Sequence, residues 1–249
     1  MSERGIAVVT GASSGIGAAT ARMLAAEGFE VICAARRADR VQALADEIGG
    51  RALACDVTSD ADVAALADAA GPELEVLVNN AGGAFGQEPV AEADVDAWQR
   101  MYAVNVIGTE KVTRALLPAL VAARGAIVFV TSVAADAPYE GGAGYCAAKA
   151  AERMIAGALR LEFFDQPVRI TEICPGMVQT DEFALTRYGG DQAKADAVYT
   201  DVPGPLVAED VAEAITWMAT RPRHVNIDRL TIRPVAQPAS YKVFRGTYS

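Results

Sequence analysis

The residues that most constrain this chain lie near its start. Ile6 to Thr10 is a short apolar run of strand character. It leads without a break into Thr10-Gly11-Ala12-Ser13-Ser14-Gly15-Ile16-Gly17 and then into an alanine-rich segment of helical period reaching Glu27. Strand, glycine turn and helix in that order make the opening unit of a parallel sheet. Glycine there lets backbone N–H groups approach an anion closely at a helix N-terminus, where the aligned peptide dipoles are positive. The spacing is G-x-x-x-G-x-G, so the G-x-G-x-x-G fingerprint does not apply as written. The plainer reading is a helix entered through a flexible turn. The order of the three elements favours dinucleotide binding, with Gly11, Ser13, Ser14, Gly15, Ile16 and Gly17 as contacts.

The rest of the chain continues the alternation. Glu30 to Ala35 precedes a helix to Ile48, Ala52 to Cys55 precedes another helix, and Val76 to Val78 makes a fourth strand. A long helical stretch from about Asp94 to Ala123 leads to Ala126–Val130, and Arg169–Ile173 and Leu230–Ile232 complete seven strands. Near-continuous apolar runs such as Ala126-Ile127-Val128-Phe129-Val130 suit strands buried on both faces. The expectation is an α/β chain with a Rossmann fold: a doubly wound seven-stranded parallel sheet with helices on both faces. Its 249 residues, 52% of them hydrophobic, suffice for a single domain over 1–249. The stretch 177–205 lacks strand character, carries Gly189, Gly190, Pro203, Gly204 and Pro205, and follows a strand's C-terminal end. Ligands bind outside those ends, which makes it a candidate substrate lid.

Charge and cysteine content exclude several classes. Lys and Arg total 22 against 32 Asp and Glu, a formal charge of −10 that opposes a nucleic-acid backbone. Four cysteines (Cys33, Cys55, Cys146, Cys174) lie far apart beside a single histidine, His224, so no metal site is expected. Three fall in apolar runs, as reduced thiols do in a cytoplasmic protein. Met1 to Gly5 lacks a secretory leader's pattern, and no stretch approaches 18 uncharged apolar residues, so no membrane partner is expected. Trp98, Trp217 and the methionines read as core packing.

A dinucleotide lying across strands one and two brings its adenosine ribose to the end of strand two. A carboxylate there would bind the 2′-hydroxyl of NAD. Ala35 holds that place and Arg36-Arg37 follow, so the sequence favours the 2′-phosphate of NADP, although two arginines opening a helix also suit a solvated surface. Ser14 stands where a basic residue would have reinforced that phosphate site. Asp56, with Val57 after it, is placed to meet the adenine edge or to cap the next helix. The same turn also spells Gly11-Ala12-Ser13-Ser14-Gly15, a G-x-S-x-G nucleophile elbow, with Asp210 and His224 following in the order of a hydrolase triad. That elbow normally follows a central strand with an oxyanion loop upstream, and here nothing precedes the first strand to supply one.

Tyr145 and Lys149 lie four apart at the opening of a helix and so share a face. Tyrosine, with a reference pKa of about 10, is a poor base at neutral pH; an adjacent ammonium and an oxidised nicotinamide favour its phenolate and make it a usable acid/base. Ser132 at the end of strand five and Asn105 within the long helix add polar groups to the same reading, although Ser132 also suits a strand cap and Asn105 a buried helix defect.

With these pieces the chain resembles the short-chain dehydrogenase/reductase family over essentially its whole length. The matching residues are the Thr10–Gly17 turn, Asn79-Asn80-Ala81-Gly82, Asn105 in Val104-Asn105-Val106, Ser132, Tyr145 with Lys149, and Pro175-Gly176 followed by Val178 and Thr180. The resemblance implies that Ser132 polarises the substrate oxygen, Tyr145 transfers the proton, Lys149 binds the nicotinamide ribose and Asn105 holds a water linking the lysine to solvent. It places Asn79, Ala81, Gly82, Pro175, Gly176 and Val178 at the cofactor and Thr180 on the nicotinamide carboxamide. It also implies a homo-oligomer, tetramer or dimer, paired through the long fourth and fifth helices. The closing segment Pro222–Val235, Tyr139-Glu140-Gly141-Gly142 and Glu182-Phe183 resemble the branch that oxidises serine and other short 3-hydroxy acids with NADP. Arg187 is then the cation for a substrate carboxylate, although Asp181, Glu182, Asp191 and Asp201 leave the charge of the lid without a clear sign. Three further readings stay open: a ketone or aldehyde reductase, the serine hydrolase, and a nicotinamide-binding sensor without turnover.

Overall fold

The computed structural model describes residues 4–248; of the segment Met1 to Gly5, Met1 to Glu3 lie outside them. Seven strands form one parallel sheet: β1 (Ile6–Thr10), β2 (Glu30–Ala35), β3 (Arg51–Ala54), β4 (Val76–Asn79), β5 (Ala126–Val130), β6 (Arg169–Pro175) and β7 (Arg229–Ile232). Their spatial order is β3-β2-β1-β4-β5-β6-β7. The chain therefore winds outward from β1 in one direction, returns, and winds outward from β4 in the other. This reversal opens a crevice between the β1 and β4 ends.

Alternation along each strand feeds two cores. Val128 and Val130 of β5 pack with Leu24 of α1 (Gly15–Ala26), Val41 of α2 (Ala38–Ile48), and Ile215 and Met218 of α9 (Ala208–Ala219). Ile127 and Phe129 face the other way, against Leu66 of α3 (Asp60–Ala70), Leu116 and Leu120 of α5 (Thr109–Ala123), and Ala156 of α6 (Ala143–Glu162). Both layers exclude water from β5, which is why its apolar run has no polar interruption.

Two expectations change, and the candidate lid gains detail. The long helix from Asp94 is not continuous: α4 (Val95–Tyr102) passes into a π-helical segment, Ala103–Gly108, before α5. Trp217 is 45% exposed, because α9 buries the face carrying Val211, Ala212, Ile215, Met218 and Ala219, and Trp217 points elsewhere with Arg221 over its ring. Met154 is likewise exposed. The stretch 177–205 contains two short helices, α7 (Phe183–Arg187) and α8 (Gln192–Ala197), and is pinned at its base by a parallel bridge between Val178 and Leu206. Among the described residues no helix is long and apolar enough to cross a membrane, and no three metal-ligating side chains cluster.

Candidate active site

A cleft of roughly 820 Å³ opens at the C-terminal ends of the strands. Its floor is the glycine turn. Gly11 and Gly15 have φ of +66° and +51°, left-handed values that β-carbons disfavour. Gly17 packs so tightly that a β-carbon would lie 2.5 Å from Asn80 Nδ2, so it serves the closure of the turn and does not line the cleft. Thr10 ties β1 to β4: its Oγ1 donates to Val78 O at 3.2 Å and accepts from the amides of Asn80 and Ala81, each at 3.0 Å. Asn80 Nδ2 donates to Thr10 O at 2.9 Å. The residue expected at the cofactor, Asn79, is buried on the opposite side, where it donates to Thr113 Oγ1 at 2.8 Å. Its neighbour Asn80 lines the cleft instead, as strand alternation requires.

At the end of β2, Ala35, Arg36 and Arg37 all border the cleft, but the two arginines do different things. Arg36 is exposed and its charge faces Asp56. Arg37 Nη2 donates to Ser13 Oγ at 2.7 Å and to Ser14 Oγ at 2.9 Å. The cradle so formed holds a carboxylate from the far side of the cleft: Glu182 accepts from Arg37 Nη1 at 2.6 Å, from Ser14 Oγ at 2.7 Å and from Arg40. Burial pushes the Glu182 carboxyl up, but these donors outweigh it and hold it down to about 2. Two guanidinium groups and two hydroxyls thus make an anion site beside a turn of free backbone, which fits a phosphorylated dinucleotide. Asp56 accepts from the Thr58 amide and hydroxyl at 2.9 and 2.7 Å, and Ser59, not Asp56, caps α3. Val57, Ala81 and Gly82 complete this wall.

The opposite wall carries the acid/base set. Ser132, just past β5, caps a short 3₁₀ turn by accepting from the Ala134 amide at 3.1 Å. Tyr145 and Lys149, in the first turns of α6, both line the cleft. Lys149 is buried; its Nζ donates to Val130 O at 3.0 Å and to Glu152 Oε2 at 2.6 Å. Burial pulls the lysine down, but the charges of Glu152 and Tyr145 raise it, so the ammonium persists. Glu152 is 1% exposed and its Oε1 has no partner; burial raises its carboxyl to about 7 against the pull of Lys149. Asn105, fully buried, sits in the π segment and does not line the cleft. Its amide donates to Met101 O at 2.7 Å and Gly83 O at 2.9 Å, and its Oδ1 accepts from Gly83 N at 3.1 Å. A β-carbon on Gly82 would come within 2.5 Å of that Oδ1 and 3.3 Å of Lys149 Nζ, so the lysine and Asn105 flank one glycine.

Pro175, Gly176, Val178 and Thr180 follow β6 along the rim. Thr180 Oγ1 accepts from the Phe183 amide at 3.4 Å while its methyl faces Gly15. Gln237, which has no motif around it, is buried and accepts from the Met177 amide at 2.7 Å, fixing the point where the lid leaves β6. Arg187 lies over the rings of Tyr139 and Tyr145, at 5.3 and 6.0 Å from their centroids. It donates to Tyr139 Oη at 2.9 Å and to Gly86 O at 3.2 Å, and its second terminal nitrogen is buried without a partner. The hydrolase triad does not assemble: Ser13 is engaged by Arg37, Asp210 caps α9, and exposed His224 lies between α9 and β7, at the opposite end of the sheet. Arg40, Glu152 and Gln237 were not singled out from sequence; of these only Glu152 carried a signal, three residues after Lys149 on one helix.

A parallel sheet with a glycine turn at its reversal point, and a serine, tyrosine and lysine facing the same cleft, defines an α/β oxidoreductase of the nucleotide-binding type. The chain belongs to the short-chain dehydrogenase/reductase family: the family model described as short chain dehydrogenase matches residues 5–188. It is 57% identical over 236 residues, 94% of this chain and 93% of the other, to an uncharacterized oxidoreductase of Mycobacterium tuberculosis. It is 42% identical over 248 residues, 97% of this chain and 98% of the other, to serine 3-dehydrogenase of Agrobacterium fabrum. Among solved structures, the closed form of serine dehydrogenase complexed with NADP⁺ superposes with a TM-score of 0.90 at 38% identity, covering 96% of this chain and 99% of that one.

Proposed function

We propose that the protein is an NADP(H)-dependent dehydrogenase that interconverts a short 3-hydroxy acid, serine among the class, and its 3-oxo acid. The observation that carries the substrate half is Arg187: a buried, unpartnered guanidinium nitrogen beside the ring of Tyr145, where a carboxylate would satisfy it. The Ser13, Ser14, Arg37 and Arg40 cradle supports NADP over NAD. The names of the serine dehydrogenase relatives agree with both halves.

NADP⁺, when bound, supplies the hydride acceptor. Gly11, Gly15 and the α1 amide end would receive its phosphates, and Arg37 and Arg40 would hold the 2′-phosphate. Ser132 donates to the substrate oxygen and orients it. Tyr145 takes the hydroxyl proton as the carbon loses hydride, and returns a proton to the carbonyl oxygen in the reverse direction. The buried Lys149 ammonium, held by Val130 O and Glu152 one helical turn after Tyr145, would bind the nicotinamide ribose. Asn105 keeps the loop at Gly82 and Gly83 against the lysine. Residues 177–205 act as the lid, with Phe183 edge-on to Tyr145 at 5.8 Å excluding water. The four buried, unpaired cysteines support a cytoplasmic setting. Exposed Met154, Leu161 and Phe164 on and beside α6 support a homo-oligomer.

The test is oxidation of serine and related 3-hydroxy acids followed at the absorbance of reduced nicotinamide. Turnover is expected with NADP⁺ and hardly with NAD⁺. Tyr145→Phe should bind NADP⁺ yet lose about 10²–10⁴-fold in kcat. Arg187→Ala should raise KM for the acid about 10- to 100-fold and leave a neutral secondary alcohol nearly unaffected. Activity retained by Tyr145→Phe would refute the proton transfer, and an unchanged KM in Arg187→Ala would refute the carboxylate clamp.

A further inference from the structure

The anion cradle beside the glycine turn is filled by a group from the protein itself. Glu182 lies 145 residues from Arg37 in sequence and reaches across the cleft from the lid. One carboxylate oxygen accepts from Arg37 and Arg40, and the other accepts from Ser14, whose hydroxyl also takes a hydrogen bond from Arg37. These are the charge, the donor number and the place expected for the 2′-phosphate of a dinucleotide. The flanking residues extend the observation. Phe183, next to Glu182, packs edge-on against Tyr145, and Arg187, at the other end of α7, covers the same ring. A six-residue stretch, 182–187, therefore bridges the cofactor cradle and the acid/base tyrosine.

We propose that Glu182 is an internal stand-in for the 2′-phosphate, so that a 2′-phosphorylated nucleotide must displace its carboxylate from Arg37, Arg40 and Ser14. The inference rests on the reading that the chain uses NADP. Glu182 then acts as a specificity-determining residue. A nucleotide carrying the 2′-phosphate replaces the carboxylate with a group of equal or greater charge, and the cradle stays satisfied. A nucleotide without it leaves Glu182 in place, or leaves two guanidinium groups without their anion. Competition for the arginines thus costs the phosphorylated nucleotide part of its affinity and sets how strongly the site prefers it.

Binding of 2′,5′-ADP and of 5′-AMP, measured by calorimetry on wild type, Glu182→Gln, Glu182→Ala and Arg37→Ala, tests this without turnover. Both Glu182 variants should bind 2′,5′-ADP about 3- to 10-fold more tightly than wild type, with 5′-AMP unchanged. If wild type prefers 2′,5′-ADP and loses that preference in Arg37→Ala, while the Glu182 variants bind it no better or worse, the stand-in is refuted and the NADP reading survives. Equal tightening of both nucleotides also refutes it, since Glu182 would then shield the cleft as a whole. If wild type shows no preference for 2′,5′-ADP, the NADP reading fails and the proposal falls with it.

Discussion

Lys149 and Glu152 form a buried ion pair whose acidic member has one oxygen unpartnered. Such a pair is sensitive to protonation, because neither charge is screened by water. The Glu152 carboxyl is raised to about 7 in the folded protein, above its ordinary value near 4.5. Between those limits the folded state holds a proton that the unfolded chain releases, so stability falls as pH rises from about 4.5 to about 7. The loss should appear as a fall in Tm across that window. Thermal melts from pH 5 to pH 8 should show this slope in wild type and a flatter one in Glu152→Gln; parallel slopes would remove Glu152 as its source. The spacing of Tyr145 and Lys149 was legible because helical periodicity alone puts them together. Glu152 shares that face, but a helical glutamate ordinarily reads as solvated, and only the packing of α6 on β5 and β6 buries it. Glu182 gave no signal of its role at all, since its partners are brought to it only by the tertiary fold.

At the level of elements the strands were legible almost to the residue, because double burial writes them as apolar runs. Only β6, which continues through Cys174 and Pro175, ran clearly longer than expected. The π segment was not legible. Ala103, Val104, Val106 and Ile107 are helix-compatible residues with no breaker among them, and the extra residue per turn is stabilised by groups distant in sequence. Asn105 makes three hydrogen bonds there, and Gly108 sits so close to Val57 that a β-carbon would lie 2.6 Å from its Cγ2. Widened turns of this kind recur at functional sites. Asn105→Ala strands the Met101 carbonyl in the interior and leaves the Gly83 amide and carbonyl to the cleft, and should destabilise by about 1–3 kcal/mol in urea titration. A change below about 0.5 kcal/mol would mean that the π turn holds itself without the side chain.

Across the whole molecule, strand order and the reversal between β1 and β4 follow from right-handed crossovers acting on the βα alternation, so the position of the cleft was readable before its contents were. Self-association was expected from family resemblance alone, through the long fourth and fifth helices; as a proposal, the exposed apolar side chains favour the neighbouring α6. Leu161, 78% exposed, and Phe164, 85% exposed, lie at the C-terminal end of α6 and just beyond it. Leu161→Glu should shift the sedimenting species to a smaller assembly with the fold intact by circular dichroism; an unchanged mass would move the interface elsewhere.

The cleft's own composition carries a consequence in time. Its floor is laid down at residue 11, whereas Gln237 and Arg245, which line its far side, come from the other end of the sequence. Gln237 fixes the root of the lid, and Arg245 holds the Val198 and Thr200 carbonyls that follow α8. During synthesis the glycine turn leaves the ribosome more than two hundred residues before the groups that finish the enclosure. A nascent chain can therefore present a nucleotide-binding turn long before it has a walled site, and full ligand capacity marks the moment when the tail has docked.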